Sequence, residues 1–216
     1  VHLSDPFLLT DMELAVARIA QAKEAQEHVR IIGDYDVDGI AATAVLARGL
    51  RRYGLENVSY ALPNRLEDGY GLNTNILEQA KKDDVSLVIT VDNGIVAHEE
   101  AAYAATQGMD LIITDHHTLG ETLPKACAVI NPKREAETSP FHAICGTAVA
   151  FELCTALNKS HDDLALVALA TIADVMPLQG ENRLLTERGI EDMRRGLQPG
   201  VQALIQQAKL NFRDVK

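Results

Sequence analysis

The sequence predicts an α/β fold: a doubly wound, mainly parallel sheet of about five strands with flanking helices and a C-terminal helical extension. Three observations lead there. Short apolar runs of strand length alternate with longer segments of helical period as far as residue 130, and beyond it only helical period remains. Several of the runs end in polar turn residues and pass at once into a helix, as crossover connections between parallel strands require. The composition, 216 residues with 47% hydrophobic and 24% charged, is that of a soluble globular chain of one large or two small domains.

The elements follow in order. From Asp11 to Glu27, Met12, Ala15, Val16, Ile19 and Ala20 share one helical face, with Thr10 or Asp11 as cap. Val29 to Ile32 is a strand, and Ile40 to Tyr53 a helix whose last turns carry Arg48, Arg51 and Arg52, cations that suit its negative end. Val58 to Leu62 is a second strand. Pro63 to Asn73 is a loop of turn formers that holds Arg65, and Asn73 or Thr74 caps a helix to Lys82. Val85 to Val91 is the clearest buried strand, followed by a helix from Val96 to Gln107. Asp110 to Thr114 and Ala126 to Ile130 complete the strands, and Asn131 to Pro140 is a polar loop. Ile144 to Leu157, Leu164 to Ala173, Asn182 to Gly196 and Pro199 to Ala208 are helical, and Cys145 and Cys154 pack in the first of these as small hydrophobes.

The functional signal sits at the ends of these strands. After Val29 to Ile32 come Asp34, Asp36 and Asp38, bracketed by Gly33 and Gly39. Three carboxylates so close stay ionised together only if a cation or a set of donors neutralises them. The string matches the front of an EF-hand loop, but its twelfth position is Val45, where that loop needs a Glu, and a strand precedes it instead of a helix. A solvated acidic turn with an Asp as helix cap is the plainer alternative. Against it, Asp92 closes the strand ending at Val91, Asp115-His116-His117 closes the one ending at Thr114, and Asp174 closes the apolar segment ending at Ala173, where an acid opposes the helix dipole.

Charge and cysteines bound the rest. The net charge of −11 speaks against a phosphate backbone held by clustered Lys and Arg, yet carboxylates that hold divalent cations enter that total without repelling a phosphate. Cys127, Cys145 and Cys154 show no disulfide or zinc spacing, which makes a reducing cytoplasm the expected setting. No stretch has the length of a membrane span, and Val1 to Asp11 lacks the pattern of a signal peptide.

In their order along the chain, these groups resemble the four motifs of the DHH phosphoesterase superfamily, and within it the RecJ family of single-strand-specific 5′ exonucleases. The resemblance rests on Gly33-Asp34-Tyr35-Asp36-Val37-Asp38-Gly39, Pro63-Asn64-Arg65 with Asp68-Gly69-Tyr70-Gly71-Leu72, Val91-Asp92-Asn93-Gly94-Ile95, Thr114-Asp115-His116-His117, Ile130-Asn131-Pro132 and Ala173-Asp174-Val175-Met176-Pro177-Leu178. It implies two metal ions, manganese preferred and magnesium possible, one held by Asp38, Asp92, His116 and Asp174 and the other by Asp34, Asp36 and Asp92. It also implies that His117 either supports the metal ligands from behind or donates to the phosphate under attack, that Asp115 orients an imidazole and that Arg65 anchors a 5′-phosphate.

The function so implied is hydrolysis of phosphodiester bonds from the 5′ end of single-stranded DNA in repair or recombination, with a single-strand-binding protein or a helicase as partner. Two alternatives are a DHH phosphodiesterase acting on oligoribonucleotides, cyclic dinucleotides or adenosine bisphosphate, and a non-catalytic replication scaffold. Residues 1–180 are expected to form the DHH domain, and residues 181–216 a helical extension towards a second domain that this sequence does not contain. The connection from Asn158 to Asp163 is shorter than the resemblance leads one to expect.

Overall fold

The computed structural model describes residues 2–63, 71–196 and 198–211. Five strands form one parallel sheet: β1 (Val29–Ile32), β2 (Val58–Ala61), β3 (Leu87–Val91), β4 (Asp110–Thr114) and β5 (Ala128–Ile130), in the order β2-β1-β3-β4-β5. The helices are α1 (Met12–Glu24), α2 (Val37–Tyr53), α3 (Thr74–Lys82), α4 (His98–Thr106), α5 (Gly146–Asn158), α6 (Leu164–Ala173), α7 (Gly180–Arg195) and α8 (Pro199–Gln207).

Both faces of the sheet are covered, which is why its strands read as nearly continuous apolar runs. Val29, Ile31, Leu87, Ile89, Val91, Ile112 and Ile130 face the larger core, shared with α1, α2, α5 and α6. Ile32, Val88, Leu111, Ile113 and Val129 alternate with them and fill the second core under α3 and α4. The α5 helix is buried around its whole circumference from Gly146 to Thr155. Cys154 packs there against Gly49, where a Cβ would come within 2.1 Å of its Sγ.

Sheet order fixes where a ligand can enter. The chain runs from β1 outward to β2 and then crosses back to lay β3 on the other flank of β1. Winding therefore reverses between β1 and β3, and the crevice beyond their carboxyl ends is the usual binding position of such sheets.

Several boundaries differ from the sequence expectation for local reasons. The α2 helix begins at Val37, three residues before its apolar period, because the Asp36 carboxylate accepts a hydrogen bond from Gly39 N at 2.9 Å and caps the first turn. Asp38 thus belongs to the helix and not to the preceding turn. Asp11 occupies the cap position of α1, but its side chain makes no cap bond; it accepts from Val129 N at 3.1 Å and from Arg134 at 2.7 Å, tying α1 to β5. The α1 helix ends at Glu24, and α4 starts at His98 because Ala97 N closes a turn on Gly94 O. Leu185 of α7 joins the main core, while Met193, Val201 and Ile205 form a small cluster with Ala165 and Ala168 of α6.

Candidate metal centre

The site is assembled by close backbone approaches at the sheet's carboxyl edge. A Cβ on Gly33 would lie 2.1 Å from Thr43 Oγ1, and one on Gly39 would lie 2.6 Å from the Asp34 backbone. Only glycines let the end of β1 fold back against the first turn of α2. That fold-back leaves Asp34 2% exposed, with its Oδ1 buried and without a hydrogen-bond partner among the described residues. Asp36 stays exposed at the cap.

Asp38 is held from across the chain. Its two carboxylate oxygens accept from Gly146 N at 2.7 Å and Thr147 N at 2.8 Å, and Thr147 Oγ1 donates to its carbonyl at 2.9 Å. The positive end of α5 therefore meets this acid. The approach is tight enough that a Cβ on Gly146 would come within 2.7 Å of Asp92 Cβ and Oδ1.

Asp92 follows β3 with φ of 62° and is 1% exposed. The left-handed region is uncommon for a residue with a side chain, and here it turns the chain sharply at the crevice. After β4, Asp115 Oδ1 accepts from His116 N at 2.7 Å and His117 N at 3.1 Å and lies 2.7 Å from His117 Nδ1; its Oδ2 accepts from Ile95 N at 2.9 Å. Protein donors thus occupy both of its oxygens. Burial works to raise the Asp115 carboxyl, but the His117 bond and charge outweigh it and hold it below the usual range. The same bond raises His117, against a smaller opposing effect of burial.

His116 Nε2 stands at the junction of three acids: 3.1 Å from Asp92 Oδ1, 3.6 Å from Asp38 Oδ2 and 3.7 Å from Asp174 Oδ2. Asp174 reaches this point as the residue that ends α6, followed by Val175 at φ 55°. Potential ligand atoms therefore gather in three overlapping groups, each within 4.8 Å: Asp34, Asp36 and Asp92; Asp38, His116 and Asp174; and Asp92, His116 and His117.

The electrostatics fit a divalent cation. Burial raises Asp92 to about 10, reinforced by the charges of Asp38 and Asp36, and burial likewise raises Asp34 and Asp174. Without added positive charge Asp92 keeps its proton at neutral pH, and Asp34 and Asp174 give theirs up less readily than an ordinary carboxyl. A bound divalent ion favours their ionised forms and can take the otherwise unmatched Asp34 Oδ1 as ligand. Carboxylate oxygens with one or two imidazoles suit manganese or magnesium better than a thiolate-seeking metal.

All six positions predicted as ligands meet here, Asp92 shared between groups. His117 enters one ligand group as well as pairing with Asp115. Arg65 lies outside the described residues. The sequence reading missed Gly146 and Thr147, because a Gly-Thr pair at the start of an apolar helix carries no ligand chemistry and its contact to Asp38 spans more than a hundred residues. It also missed Asn93, which is fully buried.

A parallel α/β domain with acids and imidazoles pooled at its switch point defines a class of candidate metal-binding proteins. The family model for the DHH family, N-terminal domain, matches residues 28–176, and the chain belongs to this family. More particularly, it is similar to RecJ proteins. It is 40% identical over 216 residues to the single-stranded-DNA-specific exonuclease RecJ of Salmonella typhimurium, covering 92% of this chain and 37% of that protein. The Bacillus subtilis protein of the same description is 42% identical over 203 residues, covering 93% and 26%. A crystal structure of exonuclease RecJ bound to manganese superposes with a TM-score of 0.83 at 32% identity, over 96% of this chain and 52% of that one. The chain thus spans well under half the length of these curated relatives.

Proposed function

We propose that this chain is the metal-dependent catalytic core of a nuclease that hydrolyses phosphodiester bonds from the 5′ end of single-stranded DNA, in repair or recombination. One observation carries the reading: acids and an imidazole from four separate stretches, Asp34 to Asp38, Asp92, His116 and Asp174, converge with mutual spacings a pair of cations could share. Similarity to RecJ proteins, one of them crystallised with manganese, supports both the substrate and the metal. Residues 28–176 match the family model, and we read 1–180 as the DHH domain with 181–216 leading towards a second domain.

Asp34, Asp36 and Asp92 would hold one ion and Asp38, His116 and Asp174 the other, with Asp92 also serving the second. When bound, the two ions supply Lewis acidity to an in-line displacement at phosphorus. The chain's own groups do the rest. The α5 N-terminus fixes both oxygens of Asp38, Asp115 fixes the His117 ring, and His117, raised and half-exposed, is placed to donate a proton or hydrogen bond to a phosphate oxygen or leaving group. Arg65 would anchor a 5′-phosphate through a two-pronged guanidinium contact. The setting is cytoplasmic, with a single-strand-binding protein or helicase as partner.

The test compares two substrates in manganese: a long 5′-phosphorylated single strand and a dinucleotide. Faster hydrolysis of the long strand, with release of 5′-terminal mononucleotides, is expected. Preference for the dinucleotide would move the chain to the DHH phosphodiesterases of short substrates, and failure to bind manganese would favour a scaffold.

A further inference from the structure

We infer that Asn93 is a positioning residue: its side-chain amide fastens the carboxyl ends of β1 and β3 to each other and to the segment before α3, and so sets the separation of Asp34 from Asp92. The side chain is 0% exposed. Its Nδ2 donates to Ile32 O at 3.1 Å and to Val91 O at 2.9 Å, while its Oδ1 accepts from Leu72 N at 3.0 Å. Both amide protons are thereby used on two different strand ends, which only a carboxamide can do from this position.

The location explains the need. The β1 and β3 ladder ends at the pair Ile32 and Thr90, and beyond it the strands part around the switch point. Asp34 lies two residues past Ile32, and Asp92 one residue past Val91. Together with Asp36 these acids form one ligand group, so the spacing of the two strand ends sets the spacing of its ligand atoms. Asn93 bridges the two strand ends there with paired hydrogen bonds. Its other edge seats Gly71, at φ 65°, so closely that a Cβ there would meet Asn93 Cβ at 3.0 Å. The same amide therefore relates the chain entering α3 to the metal candidates.

This inference rests on the metal-centre reading, so the experiment separates the two. Manganese binding to the whole chain is measured by titration calorimetry and by electron paramagnetic resonance, for the wild type and for Asn93→Asp. Asp keeps the shape and the acceptor for Leu72 N but loses both donors. The expected result is a wild type showing the exchange-coupled signal of a manganese pair. The variant should bind about 10- to 100-fold more weakly, with signals of separate ions. A general loss of stability would weaken binding without uncoupling the pair.

Wild-type affinity and coupling in Asn93→Asp would overturn the inference alone. A wild type that binds no manganese would overturn the metal reading, and the inference with it. Should the variant not fold, hydrogen exchange of the Asn93 side-chain amide in the wild type decides: protection that deepens with magnesium supports the clamp, and exchange at the rate of a solvent-exposed amide overturns it.

Discussion

Asp92 and Asp163 are alike in almost everything local and opposite in what surrounds them. Both are buried, at 1% and 6% exposure, both stand at the boundary of a regular element, and both have a left-handed backbone, φ 62° and 69°. Asp163 is held by two guanidinium groups, Arg48 at 2.7 Å and Arg52 at 2.8 Å, with Gln198 Nε2 donating at 2.9 Å. What faces Asp92 is the imidazole of His116 and, pushing the other way, the carboxylates of Asp38 and Asp36. Backbone strain and burial therefore do not distinguish a functional acid from a structural one. The sign of the neighbouring charge does: Asp163 is neutralised by the protein itself, whereas Asp92 is set up to be neutralised by something from outside.

Four variants sharpen or break that contrast. The largest effect is expected at Asp92→Ala, which removes the oxygen shared between ligand groups. Turnover of a 5′-phosphorylated single strand should fall by about 10³-fold or more, with stability kept or raised because a buried acid is gone. Retention of most activity would remove Asp92 from the centre. Next is Gly146→Ala, whose new methyl would press on Asp92 Cβ and Oδ1. Manganese affinity, followed by calorimetry, should drop by about 10- to 100-fold while the fold survives; unchanged affinity would show that Asp92 has room to move.

Asp163→Asn should do the reverse of Asp92→Ala. It strips the carboxylate from two arginines, and because those are 43% and 35% exposed, water screens much of the loss. Chemical denaturation should report a destabilisation of about 2 kcal/mol with manganese affinity unaltered. A metal phenotype there would blur the distinction between the two acids.

The smallest effect belongs to Glu152, a third buried acid, on α5, with Oε1 unbonded among the described residues and its carboxyl raised well above the usual range by burial and then by the Glu181 and Asp5 charges. Its native form holds a proton that the unfolded chain releases above the ordinary Glu range. That contribution to stability is present in acid and lost as pH rises. Glu152→Gln, neutral at every pH, should match the wild type near pH ~4 and exceed it by about 1 kcal/mol in mildly alkaline solution, as thermal melts across pH would show.

The strands and the acids at their ends were legible from the sequence. Strand residues buried on both faces are mostly apolar, and an acid closing such a run leaves a mark that a single pass along the chain detects. β1 and β4 run as the sequence predicts, although β1 includes Arg30 and β4 opens on the exposed Asp110. Helix starts were less legible where polar caps precede the apolar period, as at Asp36, and where an acid in cap position, Asp11, spends its side chain on a distant strand.

The sequence by itself determined the kind of ligand atoms and their order: carboxylates after β1, β3 and β4, an imidazole after β4, and an acid at the end of α6. Only the tertiary structure decided which of them share a pocket, that Asp115 is consumed by protein donors, and that the α5 N-terminus and the Asn93 amide hold the acids in place. The reason is physical. Ligand chemistry resides in single side chains and can be read one residue at a time. Positioning is done by backbone amides, by a buried carboxamide and by close approaches at glycine, whose partners lie far away in the sequence and are known only once the chain has folded.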